Sequence, residues 1–184
     1  MPPTDPHVAV YTGSFDPITL GHLNIILRSS RLFDKLVVGI GTNPEKKALF
    51  PVDERIEFVR RACKELDNIE VVEFDGLAVD FVRRCGARVL VRGVRPLTDI
   101  AAEITMMLAN RVLDPEIETI FLMADQGFVH VSSSLFKQIS ALASDEMLAR
   151  FVPGEIIPRL RRRMPGPGQE FSPLGTRTAA PPEQ

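Results

Sequence analysis

The fold of this chain is decided by one stretch near its start, Val8-Ala9-Val10-Tyr11-Thr12-Gly13-Ser14-Phe15-Asp16-Pro17-Ile18-Thr19-Leu20-Gly21-His22. Residues 8–12 form a short run of apolar and β-branched side chains, which is typical of a strand. Because the run is almost continuously apolar, it favours a strand that is covered on both faces. A loop and then a helical pattern over residues 21–33 follow it. The stretch therefore predicts one strand–loop–helix unit of a parallel sheet packed between helices.

The same alternation continues outward from this unit. Apolar runs predict strands at 36–41, 69–74, 89–94 and 117–123, and helical patterns lie at 53–66, 77–85 and 98–113. Gly86 stands where a left-handed residue ends the third helix, and Thr98 is expected as the N-cap of the fourth. In the second helix, apolar residues recur at three- and four-residue steps, at Ile56, Val59, Cys63 and Leu66. Five strands alternating with helices predict right-handed crossovers and an α/β fold with a doubly wound, Rossmann-like, five-stranded parallel sheet.

The C-terminal part of the chain departs from this alternation. Ser132, Ser133 and Ser134 are expected to open a fifth helix, and residues 145–164 to form a helical segment. Residues 165–184 are rich in Pro and Gly and contain little apolar surface to bury, so we expect them to be disordered. The sequence thus predicts one folded domain over 1–164 and a tail over 165–184.

Composition excludes several classes of protein. The net charge is −2, so the molecule lacks the excess positive charge of a nucleic-acid-binding protein, and any phosphate must be bound by locally placed basic residues. No apolar run approaches the roughly 20 residues that span a bilayer, and the N-terminus lacks the features of a signal peptide. Cys63 and Cys85 lie in helical patterns without metal-ligand spacing and are interpreted as small buried side chains. We therefore expect a cytoplasmic protein with no membrane or nucleic-acid partner.

Open parallel sheets bind ligands beyond the carboxyl ends of their strands, so the five loops at that edge are the candidates for a site. They contain, in order, the segment from Ser14 to His22, Asn43-Pro44-Glu45-Lys46-Lys47, Asp75-Gly76-Leu77-Ala78, Arg92-Gly93-Val94-Arg95, and residues 125–134. Lysines, arginines, a histidine and hydroxyl groups converge there. Such side chains bind phosphate groups.

Two common nucleotide-binding loops are absent from the sequence. There is no P-loop pattern, and Pro44 occupies the third glycine position of a possible dinucleotide fingerprint that begins at Gly39. The first loop offers another way to hold phosphate. Gly13 permits a tight turn or the approach of a ligand, and His22 falls in the first helical turn, where uncapped N–H groups favour anions. The alternative interpretation is that His22 is only a solvated residue at the start of a helix.

These motifs resemble a known family. Gly13-Ser14-Phe15-Asp16-Pro17 with Thr19-Leu20-Gly21-His22 is similar to the signature of nucleotidyltransferases. Lys46-Lys47, Val91-Arg92-Gly93-Val94-Arg95 and Ser132-Ser133-Ser134 narrow the resemblance to the bacterial phosphopantetheine adenylyltransferases, over about residues 8–163. The resemblance implies a magnesium-dependent hexamer that makes dephospho-coenzyme A from ATP and 4′-phosphopantetheine.

The resemblance also implies roles for individual residues. His22 would stabilise the transition state, and Ser14 would contact both ATP and the acceptor. The other acceptor-binding residues would be Lys46, Ala78 and Arg92. The other ATP-binding residues would be Phe15, His22, Gly93, Val94, Arg95, Glu103, Phe128, Val129, His130, Val131, Ser132, Ser133 and Ser134.

The chemistry of such a reaction agrees with these residue types. A phosphate monoester is largely an anionic nucleophile at neutral pH, so neither a general base nor a covalent intermediate is required. No carboxylate pair has the spacing of a metal site, and Mg²⁺ is expected to be held mostly by ATP oxygens and water. Asp16 could contact a metal, but a turn-forming aspartate that accepts backbone hydrogen bonds is favoured.

Other interpretations remain open at this point. The chain could be another nucleotidyltransferase, acting on nicotinamide mononucleotide or transferring a cytidylyl group. It could also be a non-catalytic sensor of adenine nucleotides, although His22, Lys46 and Arg92 together argue against that. His7 is expected in a frayed start, and the arginines at 159 and 161–163 are interpreted as charges that complement the end of a helix.

Overall fold

The structure is a computed structural model that describes residues 4–42, 48–95 and 100–167. Its strands are β1 (Asp5–Gly13), β2 (Lys35–Gly41), β3 (Ile69–Phe74), β4 (Ala87–Val94) and β5 (Glu118–Met123). Its helices are α1 (Leu20–Ser29), α2 (Val52–Ala62), α3 (Ala78–Arg84), α4 (Ile100–Leu113), α5 (Ser133–Ile139), α6 (Asp145–Leu148) and α7 (Ile157–Arg163). Short 3₁₀ turns lie at Gln126–Phe128 and Gly154–Ile156.

The strands form one parallel sheet in the order β3-β2-β1-β4-β5. This order confirms the predicted doubly wound sheet. β1 is the central strand, with β2 on one side and β4 on the other. The carboxyl ends of β1, β2 and β4 therefore lie side by side, which brings their loops to one place.

The sheet is covered on both faces, as the apolar runs predict. Along β1, Ala9 and Tyr11 point into a core shared with α1, α2 and the C-terminal helices, and Val10 points into a second core with α3. The larger core includes Phe50, Phe58 and Leu160. Since both faces of β1 are buried, an apolar run suits this strand better than an alternating one.

Several boundaries differ from the prediction. β1 begins at Asp5, so the expectation that His7 lies in a frayed start is wrong: His7 is a strand residue, and its N–H donates to the Asp5 carboxylate at 2.8 Å. Residues 145–164 are not one helical segment, because Pro153 and Gly154 separate α6 from α7. α1 ends at Ser29 and α2 at Ala62, each earlier than expected.

Other local predictions have definite outcomes. Gly86 has φ of 66°, which confirms the left-handed residue after α3. Thr98 lies outside the described residues, as do residues 168–184 of the tail. Cys63 is buried, Cys85 is half-buried, and both are free thiols. Burial raises the pKa of the Cys63 thiol to about 11, so it behaves as an unreactive core side chain.

Candidate active site

A cavity of about 340 Å³ opens at the carboxyl ends of β1 and β4. The first turn of α1, one side of α4 and the segment 128–134 complete its walls. Of the residues assigned from the sequence, those that line it are Ser14, His22, Arg92, Gly93, Val94, Arg95, Glu103, Phe128, Val131, Ser132, Ser133 and Ser134. The structure thus places most of the predicted site residues in one cavity.

His22 is held by the start of its own helix. Thr19 is the N-cap of α1, and its hydroxyl accepts a hydrogen bond from the His22 N–H at 3.3 Å. In return, the Thr19 N–H donates to Nδ1 of His22 at 3.1 Å, which completes a capping box in which histidine takes the usual place of Glu or Gln. Because Nδ1 accepts this bond, the proton of a neutral ring resides on Nε2. Nε2 is then a donor.

The surroundings of His22 favour this neutral form. Burial, with the positive charges of Arg95 and Arg92, lowers the pKa of His22 to about 4. The ring also packs edge-on against Phe15, with the ring centroids 5.0 Å apart. At neutral pH the free protein therefore presents an oriented, uncharged N–H donor to the cavity.

Arg92 is fixed by contacts on two sides. Its Nε and Nη2 donate to the two carboxylate oxygens of Glu103, both at 2.7 Å. Its Nη1 donates to the Thr12 carbonyl oxygen and hydroxyl at 3.1 and 3.2 Å. The resemblance assigned Arg92 to the acceptor and Glu103 to ATP, and the structure joins the two in one ion pair. A fork of this kind restricts where the guanidinium can point.

The three serines at the start of α5 have different partners. Ser132 caps the helix, since its hydroxyl accepts from the Leu135 N–H at 3.1 Å. The Ser133 hydroxyl donates to the Pro17 carbonyl at 2.9 Å and so ties α5 to the first loop. Ser134 is exposed at the cavity wall. The segment is thus anchored to the loop that precedes His22.

Several assigned residues lie elsewhere. Lys46 is outside the described residues. Phe15 is fully buried and its ring belongs to the core, so it does not line the cavity. Ala78 starts α3 and packs against the second core. Val129 is absent from the cavity wall, and His130 packs against Phe151 in a separate groove, with ring centroids 5.8 Å apart.

The structure favours the structural interpretation of Asp16. This carboxylate is buried and accepts the N–H groups of Leu49 and Phe50, both at 2.8 Å. It also forms an ion pair with Lys137 of α5. Its oxygens are therefore occupied by protein donors. In the described parts of the chain, no group of three or more metal-binding side chains is found.

Sequence reasoning missed several cavity residues and understated the arginines of α7. Tyr11 and Thr12, assigned only to a strand, line the cavity, and burial raises the pKa of the Tyr11 phenol, which keeps it neutral. In α7, Arg163 pairs with Glu54 of α2, and Arg161 pairs with Asp145. These arginines tie the C-terminal helices to the rest of the protein.

Comparisons with known proteins place this site in a family. Residues 10–139 match the cytidylyltransferase-like family model. The chain is 65% identical over 161 residues to a phosphopantetheine adenylyltransferase of Rhodopirellula baltica, covering 87% of this chain and 90% of the relative. It is 46% identical over 156 residues to a Clostridium botulinum enzyme of the same name, covering 85% and 94%.

A solved structure supports the fold. A putative nicotinate-nucleotide adenylyltransferase of Vibrio parahaemolyticus superimposes with a TM-score of 0.59 at 14% identity, covering 84% of this chain and 90% of the other. No helix in the described part of the chain is long and apolar enough to cross a membrane. Taken with the sequence relatives, the cavity and its signature residues show that the chain belongs to the phosphopantetheine adenylyltransferase family of cytidylyltransferase-like nucleotidyltransferases.

Proposed function

We propose that the protein transfers the adenylyl group of ATP to 4′-phosphopantetheine and releases dephospho-coenzyme A and pyrophosphate. The observation that carries this proposal is the neutral His22, whose Nε2–H is oriented by the Thr19 capping box inside a cavity that also contains two arginines. The sequence relatives that bear this enzyme name support the choice of acceptor.

The described cavity suits direct attack of the acceptor phosphate on the α-phosphorus. The acceptor is already anionic at neutral pH, so it needs alignment and charge screening rather than deprotonation. The groups in the cavity that could serve as a base are poorly suited to that role. His22 has a low pKa, the pKa of Tyr11 is raised, and the Glu103 carboxylate is bound to Arg92.

The role of His22 is to donate a hydrogen bond to the negative charge that develops during transfer. Negative charge builds on the oxygens around the α-phosphorus as pyrophosphate departs. A donor that is already in place stabilises this charge without reorganising. Arg92 and Arg95 add positive charge at the same edge of the cavity.

Magnesium enters this proposal as part of the ATP substrate. Glu103 is the carboxylate that the described cavity wall offers, and both of its oxygens accept from Arg92. The residues therefore suit an ion held by ATP oxygens and water rather than by a protein cage.

The proposal is tested by measuring pyrophosphate release with ATP, Mg²⁺ and 4′-phosphopantetheine. Pantetheine without its phosphate, nicotinamide mononucleotide as acceptor, and CTP as donor are the matched controls. We expect release only with ATP and 4′-phosphopantetheine. Equal release with nicotinamide mononucleotide, or none with any acceptor, would contradict the proposal.

We also propose that the protein assembles as a homohexamer. The number six rests on the family resemblance, and the support for self-association is the surface of α4. Apolar side chains on this helix are exposed by 39–85%, at Ile100, Ile104, Met106, Leu108, Val112 and Leu113. A concentration of exposed apolar side chains on one helix is typical of a surface that another protein covers.

Light scattering with two matched variants tests this assembly. Val112 on α4 is 85% exposed, and Leu142, outside α4, is 80% exposed. We expect a hexameric mass for the wild type and for Leu142→Glu, and a smaller mass for Val112→Glu. A monomeric wild type at micromolar concentration would refute the proposal.

A cytoplasmic location completes the proposal. It is supported by the two free cysteines, Cys63 and Cys85, because thiols stay reduced in that compartment. Fractionation of cells that express the tagged full chain would test it, and recovery in the membrane fraction would contradict it.

A further inference from the structure

Arg55 of α2 is a buried arginine whose partners among the described residues are backbone carbonyl oxygens. Its relative exposure is 4%, and its Nη1 donates to the carbonyl oxygens of Ser14 at 2.7 Å and Gly41 at 3.2 Å. Its Nε has no hydrogen-bond partner. Among the residues that the structure describes, no carboxylate forms an ion pair with it. Arginine keeps its charge at physiological pH, so this positive charge is buried with only backbone dipoles to balance it.

Other arginines that are largely buried form ion pairs with carboxylates. Arg83 binds the Asp114 carboxylate through two nitrogens, and Arg92 binds Glu103 in the same way. A buried charge without a counter-ion carries a cost in folding free energy. The two carbonyl oxygens that Arg55 binds indicate what this buried charge does.

The two carbonyls that it holds are at the carboxyl ends of neighbouring strands. Gly41 ends β2, and Ser14 directly follows β1 in the cavity wall. The Ser14–Phe15 peptide is trans, so its N–H points opposite to its carbonyl. With the carbonyl turned to Arg55, the Phe15 N–H points away from Arg55, and it donates to none of the described residues.

The backbone at this peptide is also in an unusual conformation. Phe15 has φ of 44°, in the left-handed region that a bulky residue rarely adopts. Such a conformation persists when its surroundings fix it. Here the buried Phe15 ring fixes one side, and the Arg55 hydrogen bond fixes the carbonyl on the other.

We infer that Arg55 is a positioning residue for phosphate binding. It fixes the Ser14–Phe15 peptide and so holds Ser14, which is exposed in the cavity wall, in place for a phosphate group, and its positive charge strengthens that attraction. Arg55 does not line the described cavity, so its effect on a ligand is exerted through the loop. This inference rests on the proposed function in one respect, namely that the ligand of the cavity carries phosphate.

The test separates phosphate binding from nucleoside binding. Pyrophosphate and adenosine are titrated separately into the full chain by calorimetry, for the wild type, Arg55→Met and Arg60→Met. Arg60 is the matched control, because it lies on the same helix and donates to a strand carbonyl, Val71, away from the cavity. Circular dichroism and thermal melting establish that each variant is folded.

We expect Arg55→Met to bind pyrophosphate about tenfold more weakly, because the loop loses its hydrogen bond to Arg55 and the site loses a nearby positive charge. Adenosine affinity should stay within about twofold, and Arg60→Met should match the wild type for both ligands. Pyrophosphate affinity within twofold of wild type in a folded Arg55→Met would overturn the inference. An equal loss of both ligands would also overturn it, since that is what a general loosening of the fold produces.

A second variant covers the case in which Arg55→Met does not fold. Arg55→Lys keeps the charge but has a shorter reach to the two carbonyls. We expect it to fold and to lose a smaller factor, roughly threefold, of pyrophosphate affinity. Wild-type pyrophosphate binding is the separate check on the proposed function: if the wild type binds none, that proposal fails before Arg55 is considered.

Discussion

Replacing His22 with Ala removes a donor that the structure holds in place before any substrate arrives. The Thr19 N–H occupies Nδ1 at 3.1 Å, so Nε2 faces the cavity as the protonated nitrogen. The Phe15 ring, 5.0 Å away, limits rotation of the imidazole. The substitution therefore affects two separate quantities, turnover and helix stability.

The two effects have different sizes. Loss of one fixed donor to developing charge typically lowers turnover by about 10²–10³, or roughly 3–4 kcal/mol of barrier. ATP has other contacts in its ground state, so its affinity should fall by less than about tenfold. Loss of the capping interaction should cost about 1 kcal/mol of stability, which the protein tolerates.

The assay combines steady-state pyrophosphate release, ATP binding by calorimetry and thermal melting. His7→Ala, in an exposed part of β1, is the control for the loss of a histidine. His22→Glu is the control for capping, because Glu at this position can accept from the Thr19 N–H; it should recover stability but not turnover. If His22→Ala turned over within about threefold of the wild type, a transition-state role of the size given above would be refuted.

Three further predictions concern the pKa of His22, the acceptor-binding assignments and Gly93. The pKa of His22 is about 4 in the folded chain, below the ordinary value of 6.5, so the unfolded chain binds more protons between these two pH values. The free energy of unfolding should therefore fall as the pH drops from 6.5 to 4, by at most about 3 kcal/mol. Urea unfolding should show that this free energy depends less on pH in His22→Ala than in the wild type. Arg92→Ala and Lys46→Ala should weaken binding of 4′-phosphopantetheine more than binding of ATP, by roughly 1.5–3 kcal/mol each. If calorimetry showed the larger loss for ATP, the assignment of these residues to the acceptor would be wrong. Gly93→Ala should lower the melting temperature through overpacking worth about 1–3 kcal/mol, because a Cβ there would lie 2.9 Å from Ile25 Cγ1; an unchanged melting temperature would show that α1 shifts freely.

The strands and the place of the site followed from the sequence for a simple reason. Strands buried on both faces must be apolar along their whole length, and this pattern is visible without any knowledge of partners. The loops at their carboxyl ends then meet because the strands are parallel. The parallel strands thus bring together His22, Arg92 and Ser132, which are distant in the chain.

The details of the site depend on tertiary contacts that sequence patterns do not show. The ion pair between Arg92 and Glu103 depends on how α4 lies against β4. The helical pattern of α2 marked Ile56 and Val59 as its apolar face, and nothing in that pattern distinguishes Arg55, which is buried beside them. The imidazole of His22 acts as a capping group, a role that usually belongs to Glu or Gln and is therefore easily overlooked.

The position of Phe15 is another feature that sequence patterns do not show. A resemblance transfers a role to a position in the chain, but it does not say which atoms perform it. Phe15 is 0% exposed and belongs to the core, whereas its neighbour Ser14 lines the cavity.

α4 contributes residues to the cavity and also carries exposed apolar side chains. Glu103 on one side holds Arg92, and Asn110 is the residue of this helix that is buried, so most of its other side chains are open to solvent. In a saturation mutagenesis experiment, its positions should divide into two groups. Changes at Glu103 should lower turnover at every protein concentration. Changes on the apolar side should produce a loss that diminishes as the protein is concentrated, so dilution alone would tell the two groups apart.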